Sequence, residues 1–115
     1  MRIILPVPTS VNASYRSGQG RYYKSQEARE WEQEATYAFY KYKGTYRLKE
    51  GPVRLVLNFY FKRDRDIDSC LKILLDFLQK KVIGNDSQIK QLLVTKYKDK
   101  DKPRVQIEIE NYLEE

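Results

Sequence analysis

Five apolar residues at every second position constrain the fold of this chain more than any other feature. They are Val53, Leu55, Leu57, Phe59 and Phe61. Apolar side chains with a period of two lie on one face of a β-strand, so the segment predicts a half-buried strand. Downstream, apolar residues follow a helical spacing at Ile67, Leu71, Leu74, Leu75 and Leu78. They predict a helix that ends near Lys80 and Lys81, where the helix dipole favours cations.

The remaining segments predict one more helix and three more strands. Ser25 is a good N-cap for the helix and Gly44 ends it. Short apolar or alternating runs predict strands at residues 2–5, 92–97 and 105–110. Residues 9–24 are polar, which predicts a long loop. The predicted order is β-α-β-α-β-β, an α+β, two-layer domain with a mixed β-sheet of about four strands and two helices.

The composition favours a basic, intracellular protein of one domain, residues 1–115. There are 22 Lys and Arg against 16 Asp and Glu, a formal charge of +6. Such a balance favours polyanionic partners: DNA, RNA or an acidic membrane surface. The single Cys70 excludes an intramolecular disulfide, so a reducing, cytoplasmic location is expected. No apolar run approaches the roughly 20 residues that a membrane span needs, so the sequence predicts no transmembrane segment and no membrane partner.

Charged residues concentrate at the junction between the central strand and the helix after it. The segment reads Lys62-Arg63-Asp64-Arg65-Asp66-Ile67-Asp68. One aspartate here has an ordinary explanation, because Asp64 or Asp66 can cap the helix and an anion suits its dipole. Three aspartates at close range repel one another, and concentrated carboxylates usually indicate that a cation binds.

Further polar residues follow on the helix. Asp68, Lys72 and Asp76 are spaced four apart, so they share one face opposite the leucines. Asp86 lies in the turn after the helix, which can fold back towards the neighbouring strands. Asp66, Asp68 and Asp86 together predict a hard site for Mg²⁺, with Mn²⁺ as a possible substitute. With 0 His and one Cys, an ordinary zinc site is excluded. Lys72 is placed to stabilise charge on a phosphate. A surface ion pair with Asp68 or Asp76 is an equally simple explanation for a lysine at this position.

Two stretches of the sequence carry a family pattern. Residues 65–78 read RDIDSCLKILLDFL, and residues 82–89 read VIGNDSQI. They resemble the RusA family of Holliday junction resolvases (crossover junction endodeoxyribonucleases), whose members show D-x-D-N-x-x-K-x-x-x-D-x-L and then D-D-x-x-I. The opening Pro8-Thr9-Ser10-Val11-Asn12, with Tyr23-Lys24-Ser25 and Trp31 later, is similar to the family's P-x-S-x-N segment and its following helix. The resemblance covers most of the chain in the family's order.

The resemblance implies a role for each matching residue. Asp66, Asp68 and Asp86 match the family's metal-binding carboxylates, and Lys72 matches its catalytic lysine. Asp76 matches a further recurrent acid. The implied activity is Mg²⁺-dependent resolution of Holliday junctions by paired phosphodiester cleavage, in DNA recombination and repair.

Two positions depart from the family pattern. Ser69 stands where Asn is usual, which bears on helix capping or loop attachment. Asn85 stands where the first Asp of the pair is usual, which leaves Asp86 to act alone.

The resemblance also implies partners. The family's enzymes are homodimers, and a two-fold dimer matches the approximate two-fold symmetry of a branched, four-way DNA junction. No small-molecule cofactor is expected. Basic side chains should contact phosphates. The candidates are Arg16, Arg21, Lys24, Lys62, Arg63 and Arg65. For those in the 9–24 loop, a solvated loop without DNA contacts is an equally good interpretation.

Two alternative functions stay open. One is a structure-selective nuclease of the same fold that acts on flaps or forks. The other is a non-catalytic DNA-binding protein that keeps the scaffold, and metal titration separates it from an enzyme because a mere binder has no need of Mg²⁺ between these carboxylates.

Overall fold

A computed structural model describes residues 1–18, 21–44, 49–79 and 81–113, without the side chains of residues 16–18, 21 and 22. The elements in chain order are β1 (Arg2–Leu5), α1 (Val11–Ser14), β2 (Tyr15–Gly18), β3 (Arg21–Lys24), α2 (Gln26–Lys43), β4 (Val53–Phe61), α3 (Asp68–Leu78), β5 (Ile89–Lys98) and β6 (Arg104–Asn111). A short 3₁₀ turn, Asp86–Gln88, precedes β5. The predicted α+β class with a four-stranded mixed sheet is confirmed.

The main sheet has the strand order β1-β6-β4-β5. Strand β4 pairs in parallel with β5 and antiparallel with β6, which pairs antiparallel with β1. Two parallel neighbours need a crossover, and α3 supplies it. The carboxyl end of β4 therefore leads directly into the charged junction and α3.

The period of two in β4 results from burial of a single face of the sheet. All five predicted inward residues of β4 are buried, while those between them are half-buried. Trp31, Ala35 and Phe39 of α2 pack into the same core, together with Leu74 and Leu78 of α3. Ser25 caps α2, with its hydroxyl accepting from Ala28 N at 3.1 Å, as predicted. Gly44 ends the helix with a φ of +55°, a backbone conformation that favours glycine.

The segment predicted as a loop, residues 9–24, is structured where it is described. Ser10 caps the short helix α1, and β2 and β3 pair as an antiparallel hairpin. The buried Ser14 hydroxyl contacts Thr9 Oγ1 at 2.6 Å and donates to Ser10 O at 2.5 Å. The Ser25 hydroxyl donates to Ala13 O at 2.6 Å. Serine and threonine hydroxyls satisfy this backbone locally, so the prediction of a long loop without helix or strand was wrong.

The buried face of α3 also differs from the predicted stripe. Cys70, Leu74, Phe77 and Leu78 are buried, whereas Ile67, Leu71 and Leu75 are only half-buried. Apolar residues occupy most positions of this helix, so its sequence permits two stripes and packing selects one. The helix ends at Leu78, earlier than predicted, because Gln79 is already extended (φ −65°, ψ 137°).

Candidate active site

The junction between β4 and α3 is attached to the edge strand β5. Lys96 Nζ donates to Asp64 Oδ1 at 2.9 Å and to the Arg65 carbonyl at 3.0 Å. The hydrogen bond and charge of Lys96 hold the pKa of Asp64 below its ordinary value. Asp64 therefore has a partner in the fold, and it does not cap α3 as one simple interpretation of the sequence proposed.

Asp66 and Asp68 lie at the amino-terminal end of α3. Ser69 donates to the Asp66 carbonyl twice, from its amide at 3.1 Å and from its hydroxyl at 2.7 Å. Asp68 is the first residue of the helix, and the N-cap position is filled by Ile67 without a side-chain cap bond. Both carboxylates are exposed and neither caps the helix with a hydrogen bond, so capping does not account for either of them. Ser69 thus replaces the usual Asn with another short donor that attaches the loop.

Lys72 lies one turn further on, next to Asp76. Its ammonium donates to Asp76 Oδ2 at 2.9 Å, and both side chains are about half exposed. This hydrogen bond and the charge of Asp76 raise the pKa of Lys72, and Tyr15 and Asp86 raise it further. The ion pair named as the simple alternative is present. Lys72 is therefore a firmly protonated cation, suited to stabilising phosphate charge and unsuited to accepting a proton.

Asp86 approaches Lys72 closely enough to act on its charge, so the turn after α3 does fold back. The Asn85 side chain caps this turn by accepting from Ser87 N at 2.9 Å. The side-chain oxygen of Gln88, Oε1, accepts from the backbone amides of Gly84 and Asn85 at 2.8 and 3.0 Å. Asn85 therefore has a structural role, which the family's usual Asp can also perform because both residues are good caps.

The side-chain amide nitrogen of Gln88, Nε2, connects the same turn to a distant part of the chain. It donates to the carbonyls of Lys49 and Gly51, each at 2.9 Å. These bonds fix the turn against the segment that leads into β4. Sequence reasoning missed Gln88, although the pattern N-x-x-Q at residues 85–88 is a capping-box signal.

Asp66, Asp68 and Asp86 share one property in the described part of the chain: none of their carboxylates accepts a hydrogen bond or forms an ion pair there. Three exposed carboxylates without protein partners are the donor type that Mg²⁺ or Mn²⁺ prefers. Within the described residues, however, no group of three or more Cys, Asp or Glu is close enough to form a metal site. The donor chemistry fits a hard cation, while the side chains are not gathered around one position.

The basic candidates fall into three groups. Lys62 and Arg63 are exposed and form no ion pair with the described residues. Lys24 pairs with Glu32 at 2.8 Å, and Arg65 lies over the Phe61 ring at 5.1 Å. Arg16 and Arg21 belong to the hairpin strands, but their side chains lie outside the described residues.

Tyr15 is a second residue of the site that the sequence did not single out. It begins β2 directly after α1, and α1 packs on α3. Tyr15 thereby comes near Lys72. Its only sequence signal was its place among basic and aromatic residues in a polar segment, which is too general to predict its proximity to Lys72.

Exposed carboxylates and a lysine on one helix and its flanking segments, with basic side chains nearby, are suited to enzymes that act on phosphodiesters. The family model described as endodeoxyribonuclease RusA matches residues 5–110, nearly the whole chain. The chain belongs to the RusA endodeoxyribonuclease family, and the resemblance predicted from the sequence is confirmed. No curated protein matches the chain at a significant level. Among the described helices, none combines the length and the apolar character that crossing a membrane requires.

Proposed function

We propose that this protein is a Mg²⁺-dependent endodeoxyribonuclease that resolves four-way DNA junctions. The observation that supports it most is the set of three exposed carboxylates, Asp66, Asp68 and Asp86, that accept no hydrogen bond from the described residues. They belong to α3 and its flanking segments, as does a lysine held in its protonated form, in a chain of an endodeoxyribonuclease family. We further propose that residues 1–115 act as one domain, since β1 and β6 from opposite ends of the chain share one core.

Asp66, Asp68 and Asp86 are the residues that would hold the metal, because their oxygens accept no hydrogen bond from the residues that the structure describes. When bound, Mg²⁺ supplies Lewis-acid chemistry at the phosphate and lowers the pKa of water. The exposed position of all three carboxylates leaves room for the DNA backbone to enter beside them.

Lys72 binds the phosphate that is cut and stabilises the charge that develops on it. Its raised pKa keeps the ammonium charged throughout the neutral range. Asp76 orients this ammonium through the 2.9 Å hydrogen bond. Lys62 and Arg63 contribute phosphate contacts, since both are exposed and unpaired among the described residues.

The protein acts as a homodimer, since paired cuts in a two-fold symmetric junction require two sites. A surface that suits a second copy is the free edge of the sheet at β5, where Leu92, Leu93 and Tyr97 are exposed. Exposed apolar residues on a long edge strand favour association with another chain.

Cleavage of three labelled substrates tests the proposal: a four-way junction, a fork and a linear duplex, each with Mg²⁺ or with a chelator. The proposal expects symmetric paired cuts in the junction, only with Mg²⁺, and much slower cutting of the other two. Faster cutting of the fork would favour the flap and fork nuclease. Junction binding without cleavage under any divalent metal would favour the non-catalytic protein.

A further inference from the structure

A small pocket of about 100 Å³ opens between the β2–β3 hairpin, α2 and α3. Three aromatic rings line it, and two of them, Trp31 and Phe77, meet edge to face with centroids 5.2 Å apart. Both rings are nearly buried, so they belong to the wall of the pocket and not to its rim. Tyr15 also lines the pocket and is 36% exposed.

The size of the pocket limits its ligand. A cavity of about 150 Å³ takes one benzene ring, and pockets for larger small molecules run from about 300 Å³ upwards. The pocket of about 100 Å³ is smaller than either, but it is open on one side, so it accepts the edge of one planar ring, with the rest of the ligand outside.

Charges of both signs surround the opening. Lys24 and Glu32 form an ion pair at 2.8 Å on one side. On the other side Lys81 lies over the Phe77 ring at 4.4 Å, and Asp76 contributes a carboxylate. An anionic group would meet the two acids, whereas a neutral ring with both donors and acceptors can pair with every one of these groups.

The pocket adjoins the candidate active site. Asp76 lines the pocket and also accepts the 2.9 Å hydrogen bond from Lys72. A ring in the pocket would thus be next to the phosphate that Lys72 binds. In DNA, the planar group next to a phosphate is a nucleobase.

We infer that this pocket receives one unstacked nucleobase of the DNA next to the phosphate that is cut, and that it gives the enzyme its base preference. The inference rests on the proposed function for its substrate. An unpaired base is read in this way elsewhere, by stacking on aromatic side chains and by hydrogen bonds to its edge. Branched DNA supplies such a base most readily, because pairing and stacking are already weakened at the branch point.

The preference is measured with a pool of four-way junctions whose base pairs around the branch point are randomised, followed by sequencing of the cut products. The wild type should favour one base at one position by about tenfold, which corresponds to about 1.4 kcal/mol. Ile73→Phe fills the pocket from α3 and should reduce this ratio to near one. Leu75→Phe makes the same kind of change on a half-buried residue that does not line the pocket, so it should keep the wild-type ratio.

Glu32→Gln provides a nearly isosteric variant that is safe for folding, because the Glu32 side chain is half-buried, with 41% of it exposed. It should change which base is favoured, since it replaces an acceptor by a group that also donates. A uniform distribution in the wild type, or an unchanged preference in both Ile73→Phe and Glu32→Gln, would overturn the inference.

A second measurement does not depend on cleavage. Trp31 is the only tryptophan of the chain, so quenching of its fluorescence by a short single-stranded oligonucleotide, in the presence of a chelator, reports a base in the pocket. If the wild type and Leu75→Phe show quenching and Ile73→Phe does not, the pocket is supported. This holds even if the wild type cuts no junction, in which case only the proposed function is refuted. Absence of quenching in a wild type that binds the oligonucleotide would refute the pocket alone.

Discussion

Replacing Gln88 with Ala is expected to loosen the turn that carries Asp86. The substitution removes four hydrogen bonds of 2.8 to 3.0 Å, two accepted from backbone amides and two donated to backbone carbonyls. Because most of these bonds are exposed to solvent, the low end of the usual net contribution applies, ~0.5 kcal/mol for each. The free energy of unfolding should therefore fall by about 2 kcal/mol.

Two further variants divide this effect. Gln88→Glu keeps the acceptor for the Gly84 and Asn85 amides, but it loses both donors and turns a carboxylate towards the Lys49 and Gly51 carbonyls. Its loss should be about 1 kcal/mol from the two bonds, increased by that repulsion. Gln91→Ala is the matched control on β5, since it removes a single exposed bond from Arg54 and should cost about 0.5 kcal/mol.

Urea unfolding followed by Trp31 fluorescence measures these differences, because Trp31 lies in the core. Junction cleavage is measured beside it, and Gln88→Ala should cut more slowly than Gln91→Ala because Asp86 is displaced. A Gln88→Ala protein as stable as the wild type, and as active as Gln91→Ala, would refute the role assigned to this side chain.

Three other perturbations have definite expected outcomes. Lys72→Gln should slow junction cleavage by about 10²–10³-fold and Lys72→Arg should restore part of it, since the proposed role needs a cation. Because the pKa of Lys72 is raised, deprotonation of Lys72 should not lower the wild-type cleavage rate at any pH below the ordinary lysine pKa. A fall in the rate near neutral pH that Lys72→Arg removes would contradict this role. Asp64→Asn should destabilise the protein in full above the ordinary Asp pKa of about 3.9. The difference should shrink below that pH and vanish as pH falls through the lowered pKa, because a protonated Asp64 no longer pairs with Lys96; thermal unfolding at several pH values checks this. Leu74→Ala, at a fully buried position, should lower the unfolding free energy by about 2–5 kcal/mol in a denaturant titration, and a loss below 1 kcal/mol would contradict its place in the core.

The elements that the sequence predicts well are those whose signals are local. The period of two in β4 and the caps of α2, Ser25 and Gly44, depend on neighbouring residues alone, and the structure confirms all of them. The hairpin β2–β3 was missed because its strands are polar, so their pairing leaves no apolar pattern to detect. The prediction of the buried face of α3 was correct for Leu74 and Leu78 but missed Cys70 and Phe77. The helix carries two apolar stripes, and packing selects between them.

In the candidate site, too, the sequence predicts the local arrangement of residues but not the long-range contacts. Asp68, Lys72 and Asp76 share a face of one helix, so their proximity follows from spacing. The approach of Asp86 to Lys72 depends on the Gln88 bonds to Lys49 and Gly51, which join residues 37 to 39 positions apart. No local pattern specifies such contacts.

Cleavage of a synthetic four-way junction by Asp68→Asn tests the central claim most directly. Asp101→Asn is the control, because it makes the same change at an exposed aspartate of the β5–β6 loop. Junction binding is measured in parallel by gel shift. Asp68→Asn should bind the junction but make no Mg²⁺-dependent cuts, while Asp101→Asn should cut like the wild type. Equal cutting by Asp68→Asn and Asp101→Asn would contradict the central claim.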